Sequence, residues 1–201
     1  PMRKMLPEPA SRETLNLPDD KHILILQGSG INIHRGSEEL VDAMQYLDDC
    51  MLLIIGGGDV LPILKQKVAD NHWDDRVRFY PRMPYKDMMA ITRLARLGFT
   101  LDKPNNLNYL FSLPNKLFDY IQANVPIIAS HLPEIERIIK GYNIGTFIEE
   151  HNPEHIAQKI KEVISDEESL KTWKNNLNFA AQELCWENEE QTLIKIYEQY
   201  I

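Results

Sequence analysis

The sequence predicts an α/β fold, a doubly wound six-stranded parallel sheet of Rossmann-like type, and three observations lead there. Six short apolar runs are separated by segments whose apolar residues recur at helical spacing. Several runs are apolar on both faces, as strands covered by helices on each side require. The repeated order of strand, helix, strand implies parallel pairing, with ligands expected beyond the carboxyl ends of the strands.

Residues 1–20 carry Pro1, Pro7, Pro9 and Pro18 among charged side chains and read as an extended linker rather than a first strand. The strands follow at 22–28 (HILILQG), 51–56 (MLLIIG), 77–80 (VRFY), 97–101 (LGFTL), 126–129 (PIIA) and 145–148 (GTFI). Helices are expected near 36–48, 60–72, 84–96, 114–123, 133–140 and 153–165. The helix at 153–165 has a one-sided stripe of Ile156, Ile160, Val163 and Ile164. That at 114–123 has Pro114 in its first turn, where a missing N–H costs nothing, with Ser112 placed to cap it. Two more helices, 168–184 and 187–200, close the chain. The second bears an apolar stripe of Leu193, Ile196, Tyr197 and Tyr200 that must be buried somewhere.

With 201 residues, 43% apolar and 26% charged, the chain can form one substantial core. A net charge of −8 argues against nucleic acid as a partner, because phosphate backbones are bound by broad basic surfaces. Cys50 and Cys185 have no metal or redox spacing and are expected as buried thiols of a reducing compartment. The six histidines form no cluster, and only His34, beside Arg35, is a candidate. The apolar runs fall short of a membrane span and no signal peptide is evident, so a cytoplasmic protein is expected, at most peripheral to the membrane. Met88, Met89, the tryptophans and most tyrosines read as packing.

Four segments at strand ends carry the chemistry. After the first strand, Gly28-Ser29-Gly30 lets backbone approach a ligand, and Arg35 supplies a fork for phosphate. After the second, Gly56-Gly57-Gly58-Asp59 is a strong turn signal that lacks the spaced dinucleotide fingerprint, so no NAD is inferred. After the third, Tyr80-Pro81-Arg82-Met83-Pro84-Tyr85 is a proline-bounded loop. In the fourth, the helix that starts at Pro114 offers first-turn amides, its positive dipole end and Lys116 to an anion. Asp119 lies one turn further in, suited to the hydroxyl pair of a ribose.

Residues 112–130 resemble the signature of retaining GT-B glycosyltransferases of family 4 type: a Glu-x7-Glu motif, then a Gly-x-Pro-Val-Ile/Val-Ala-Ser strand. Asp119 falls on the second acidic position and Val125 to Ser130 on the strand, while Phe111 stands at the first acidic position. One branch of that family has Ser-x-Pro-x-Lys in this half, matched here by Ser112, Pro114 and Lys116. The resemblance implies a diphosphate site of Gly28, Ser29, Arg35, Pro114 and Lys116, with Arg35 and Lys116 stabilising the leaving group. It implies ribose contact by Asp119, nucleobase contact by the backbone of Arg82 and Met83, and donor-sugar contact by Asn108, Tyr109, Ser112 and Asn115. No catalytic acid or base, metal or cofactor is assigned beyond the nucleotide-sugar substrate. The lack of any Asp-x-Asp disfavours a metal-bridged diphosphate of GT-A type.

The resemblance covers half of a GT-B architecture. It implies a linker at 1–20, a donor-nucleotide domain at 21–185, and a C-terminal helix at 186–201 that contacts a missing N-terminal, acceptor-binding domain. The expected function is sugar transfer from a nucleotide-diphosphate sugar to a glycan or lipid-linked acceptor in cell-surface polysaccharide synthesis, at the inner face of the membrane. Alternatives are a stand-alone donor-binding subunit and a GT-B-like sugar-nucleotide epimerase.

Overall fold

The computed structural model describes residues 6–198; Pro1 of the proposed linker and Tyr200 of the C-terminal stripe lie outside them. Six parallel strands form one sheet: β1 (His22–Gly28), β2 (Cys50–Gly56), β3 (Val77–Tyr80), β4 (Leu97–Thr100), β5 (Ile127–Ser130) and β6 (Gly145–Ile148). Their spatial order is β3-β2-β1-β4-β5-β6, which reverses between β1 and β4. This is the doubly wound Rossmann-like sheet expected, and the reversal marks where ligands bind in such sheets.

Alternation of side chains along each strand divides the core into two. Leu24, Leu26, Leu52 and Ile54 face one side, under α1 (Ser37–Ala43), α2 (Leu61–Asp70) and α7 (Pro153–Ser165). Ile23, Ile25, Met51, Leu53 and Ile55 face the other, under α3 (Tyr85–Thr92), α5 (Asn115–Ala123), α6 (Pro133–Tyr142) and α8 (Glu167–Glu183). The stripe of α7 is seated as its spacing implies: Ile156, Ile160 and Val163 are buried, with Ile164 partly so. Cys50 and Cys185 are buried free thiols.

β1 pairs with β2 over seven residues, from His22 opposite Cys50 to Gly28 opposite Gly56. With β4 it shares only Leu24 opposite Leu97 and Ile25 opposite Gly98, after which the strands diverge. Tyr120 of α5 fills the base of this fork. Its hydroxyl accepts the Gln27 N–H at 3.3 Å and lies 3.1 Å from the Phe99 carbonyl and 3.3 Å from that of Ile25, donating to one of them. Gly98 makes room for the ring: a Cβ there would lie 2.7 Å from the Tyr120 side chain.

Several boundaries differ from the sequence expectation. The first helix divides into α1 and a 3₁₀ turn, Met44–Tyr46. α3 ends at Thr92 rather than near 96, because the chain must turn for the Arg96 N–H to reach the Ile23 carbonyl (2.7 Å) at the entry to β4. A short helix, α4 (Leu107–Leu110), is absent from the sequence reading, and Asn106 caps it by accepting the Tyr109 N–H at 2.9 Å. The last helix, α9, spans Trp186–Glu198 and has no buried residue, so Leu193, Ile196 and Tyr197 are exposed.

Residues 6–20 hold no strand but are tied to the domain. The Ala10 N–H donates to the Ala90 carbonyl at 2.9 Å, and Arg93 donates to the Pro7 carbonyl. Arg78 donates to the carbonyls of Leu15 and Asn16, and Leu17 is buried in the second core. No helix among the described residues is long and apolar enough to cross a membrane.

Candidate functional site

Two cavities open at the divergence of β1 and β4, one of about 530 Å³ and one of about 300 Å³. Gln27, Gly28, Ser29, Asn115 and Lys116 line both. The site is therefore built from the end of β1 and the first turn of α5.

The smaller cavity is the charged one. Arg35 reaches it from the β1–α1 loop, and Lys116, 9% exposed, reaches it from α5. Both cations face Asp102, just past β4: Arg35 Nε lies 3.5 Å from one carboxylate oxygen and Lys116 Nζ 3.7 Å from the other. The guanidinium also stacks on Tyr109 of α4, 4.6 Å from the ring centroid. Burial pushes the Lys116 ammonium below the usual lysine range; Asp102 opposes that shift and Arg35 adds to it.

Backbone conformation aims Arg35. His34 and Gly36 flank it with φ of 66° and 73°. At Gly36 a Cβ would lie 2.3 Å from the Leu101 carbonyl oxygen, so only glycine lets this loop lie against the residue preceding Asp102. The glycine triplet does related work. Gly57 donates its N–H to the Gly28 carbonyl (3.2 Å) and accepts the Ile31 N–H (2.9 Å), and Asp59 accepts the Ile33 N–H at 3.0 Å. Gly56 lines the larger cavity, Gly57 braces the loop of Ser29 and Arg35, and a Cβ at Gly58 would lie 1.8 Å from the Ile31 carbonyl oxygen.

Ile55, Met83, Met88, Tyr85 and Asp119 line the larger cavity. Asp119 is buried and engaged through both oxygens: one accepts Gln27 Nε2 at 3.1 Å, the other the Tyr85 hydroxyl at 3.0 Å. The Thr92 hydroxyl lies 2.6 Å from Gln27 Oε1 and fixes that amide. Burial raises the Asp119 carboxyl above its ordinary range, and the bonds from Tyr85 and Gln27 partly offset the shift. Arg82 is exposed; its side chain packs over Gly57 and donates to the Ser29 carbonyl at 2.7 Å, while Met83 lines the cavity.

Gly28, Ser29, Arg35, Pro114, Lys116, Ser112 and Asn115 thus come together at the smaller cavity, and Asp119, Arg82 and Met83 at the larger. Asn108 is exposed and lines neither; Tyr109 enters through its stack on Arg35. One expectation is corrected: Ser112 does not cap α5. Pro114 is the N-cap residue and no side chain caps the helix, because the Ser112 hydroxyl donates to the Tyr109 carbonyl at 3.0 Å. The N-terminus of α5 consequently has no side-chain cap, and its first-turn residues Asn115 and Lys116 line the cavity. Asp102 is the residue that sequence reasoning missed. Its signal was an acid directly after a buried strand at the centre of the sheet.

Among the described residues, no group of three or more His, Cys, Asp or Glu is arranged to hold a metal. The family described as Glycosyl transferases group 1 matches residues 8–178. An uncharacterized glycosyltransferase of Methanocaldococcus jannaschii, MJ1178, is 35% identical over 166 residues, which is 82% of this chain and 45% of the relative. The chain thus spans about half the length of the curated relative it matches. The structure of a sucrose-phosphate synthase from Thermosynechococcus elongatus superposes with a TM-score of 0.80 at 21% identity, covering 100% of this chain and 51% of that one. Anabaena HepE, solved in complex with UDP-glucose, gives a TM-score of 0.80 at 14% identity, covering 98% of this chain and 55% of HepE.

Proposed function

The chain belongs to the group 1 glycosyl transferases, and from that premise we propose that it is the C-terminal, donor-nucleotide half of a retaining, metal-independent GT-B glycosyltransferase. The observation that carries the reading is the convergence of Arg35, Lys116 and the uncapped first turn of α5 on one cavity at the switch point of the sheet. Two cations and free amides make a diphosphate site without a metal.

In this reading the diphosphate lies against Gly28, Ser29, Arg35, Pro114 and Lys116. The ribose lies by Asp119, exchanging hydrogen bonds with the Tyr85–Gln27 network, and the base enters the larger cavity beside Arg82 and Met83. Asn108, Tyr109, Ser112 and Asn115 face the sugar. The UDP-glucose held by a protein of the same fold supports this placement. As the glycosidic bond to the donor breaks, negative charge grows on the departing diphosphate. Arg35, Lys116 and the helix amides are already oriented toward that charge and stabilise it.

The acceptor, a glycan or lipid-linked sugar, belongs to an N-terminal domain outside this chain, and the exposed α9 faces that domain. Transfer of a hexose or related sugar takes place in the cytoplasm, at the membrane face, in cell-surface polysaccharide synthesis. The 201-residue chain alone is expected to bind nucleoside diphosphate and to transfer no sugar. Calorimetric titration with UDP, GDP and ADP tests this: binding of at least one, weakened by about tenfold or more in Lys116→Ala, is expected. Failure of all three to bind would sink the reading.

A further inference from the structure

We propose that Asp102 is a positioning residue of the diphosphate site, a buried counter-ion that fixes Arg35 and Lys116 side by side as cations and acts on the nucleotide only through them. The inference rests on the donor-site reading above and extends it to a residue that lines neither cavity.

Asp102 is 1% exposed, and neither of its carboxylate oxygens has a hydrogen-bond partner; the same holds for Arg35 Nε. An acid kept so far from water without hydrogen bonds is sustained by charge alone, and among the described residues its ion pairs are those with Arg35 and Lys116. The two cations come from distant parts of the chain, and each would disfavour the other in a buried setting. One carboxylate between them relieves that repulsion and leaves the trio net positive. The fold is arranged to keep the acid there: Gly36 lies against Leu101, the residue before Asp102, which brings the Arg35 loop onto the end of β4.

The other titratable groups around the trio are few. His151 feels Asp102, Lys103 and Glu39, lies 2.9 Å from the Ser130 hydroxyl and 3.1 Å from the Leu101 carbonyl, and is held below the ordinary histidine range by burial. Lys103 and Glu39 pair with each other at 2.5 Å. Tyr120 feels Asp102 and Asp119, and burial keeps it protonated. Lys116 itself is the cation whose ammonium burial pushes below the ordinary lysine range.

The proposal reverses the intuitive sign of a mutation. Removing an acid beside an anion site would ordinarily tighten anion binding; here Asp102→Asn lets Lys116 lose its proton more easily and weakens binding. Wild type and Asp102→Asn are titrated calorimetrically with UDP, GDP and ADP near pH 7 and near pH 8.5. Weaker binding is expected, the loss being larger at the higher pH and up to about tenfold for each unit by which the Lys116 midpoint falls. Asp102→Glu restores most of it, and in a Lys116→Ala background Asp102→Asn costs less than about threefold. Tighter binding by Asp102→Asn at both pH values overturns the proposal.

A second measurement needs no nucleotide. In protein carrying ¹³C-labelled lysine, the Lys116 resonance, identified by its loss in Lys116→Ala, is titrated directly. Its midpoint is expected to fall by about one unit or more in Asp102→Asn and to rise in Arg35→Ala, which also serves if the asparagine variant does not fold. An unmoved midpoint refutes the counter-ion role. A shifted midpoint in a protein that binds no nucleoside diphosphate leaves that role standing and removes the donor-site reading instead.

Discussion

The two cavities share five lining residues yet are opposite in polar bookkeeping. At the larger one Asp119 is answered by Tyr85 and Gln27, and Gln27 by Thr92. Around the smaller one Arg35, Asp102 and Lys116 meet at 3.5 and 3.7 Å, and both Asp102 oxygens lack hydrogen bonds. The satisfied network fixes a shape into which a flat, weakly charged group can be sorted. The under-satisfied one concentrates charge that a strongly anionic group would complete. A nucleoside diphosphate has one part of each kind.

The contrast can be broken most decisively at Lys116. Replacement by alanine should lower nucleoside-diphosphate affinity by roughly 10- to 150-fold, because hydrogen bonds to charged groups contribute about 1.5–3 kcal/mol. Unchanged affinity by calorimetry would put the anion elsewhere. Next comes Gly36→Ala, which meets the Leu101 carbonyl at 2.3 Å with φ at 73°. It should cost on the order of 3 kcal/mol in denaturant unfolding and displace Arg35 from Asp102, weakening binding as well. Gly98→Ala, which drives a methyl to 2.7 Å from the buried Tyr120 ring, should cost about 2 kcal/mol with less effect on binding.

At the larger cavity a smaller, pH-dependent effect is expected. The folded-state pKa of Asp119 is raised, so between its unfolded and folded values the native state holds the extra proton, and stability falls as pH rises through that window. Tyr85→Phe removes a bond that favours the carboxylate, so it should extend the window upward and cost about 1 kcal/mol at neutral pH. Unfolding curves at a series of pH values read both effects; a window that narrows would contradict the assignment. The smallest change is expected at Asn108, exposed and outside both cavities. Asn108→Ala should leave affinity for a nucleoside diphosphate within about twofold of wild type, with any loss confined to the nucleotide sugar.

How much of this was legible follows from where the signal resides. The strands are short apolar runs, the central ones buried on both faces, and that burial writes itself into composition, so all six appear in the sheet with boundaries shifted by a residue at most. Arg35 and Lys116 were legible because glycine, proline and a cation at a strand or helix end form a local pattern. Asp102 was not, since its partners lie 67 and 14 residues away and only the order reversal of the sheet brings the three together. Ser112 was misread for the opposite reason. A local rule assigned it to the cap of α5, but α4, too short to show periodicity, captured its hydroxyl first. The engagement of Asp119 by Tyr85 likewise needed α3 and α5 to be adjacent.

Tyr120 gives the fork between β1 and β4 a consequence for exchange kinetics. The Gln27 amide is shielded there by a phenol rather than by a neighbouring strand. Its exchange with solvent therefore reports the seating of α5, which carries Lys116 one turn before Tyr120. In deuterium the amides of the β1–β2 ladder should exchange together with global unfolding, whereas Gln27 can exchange whenever that helix lifts. A ligand that draws the first turn of α5 toward β1 would slow this one proton selectively, making it a spectroscopic gauge of occupancy built into the centre of the sheet.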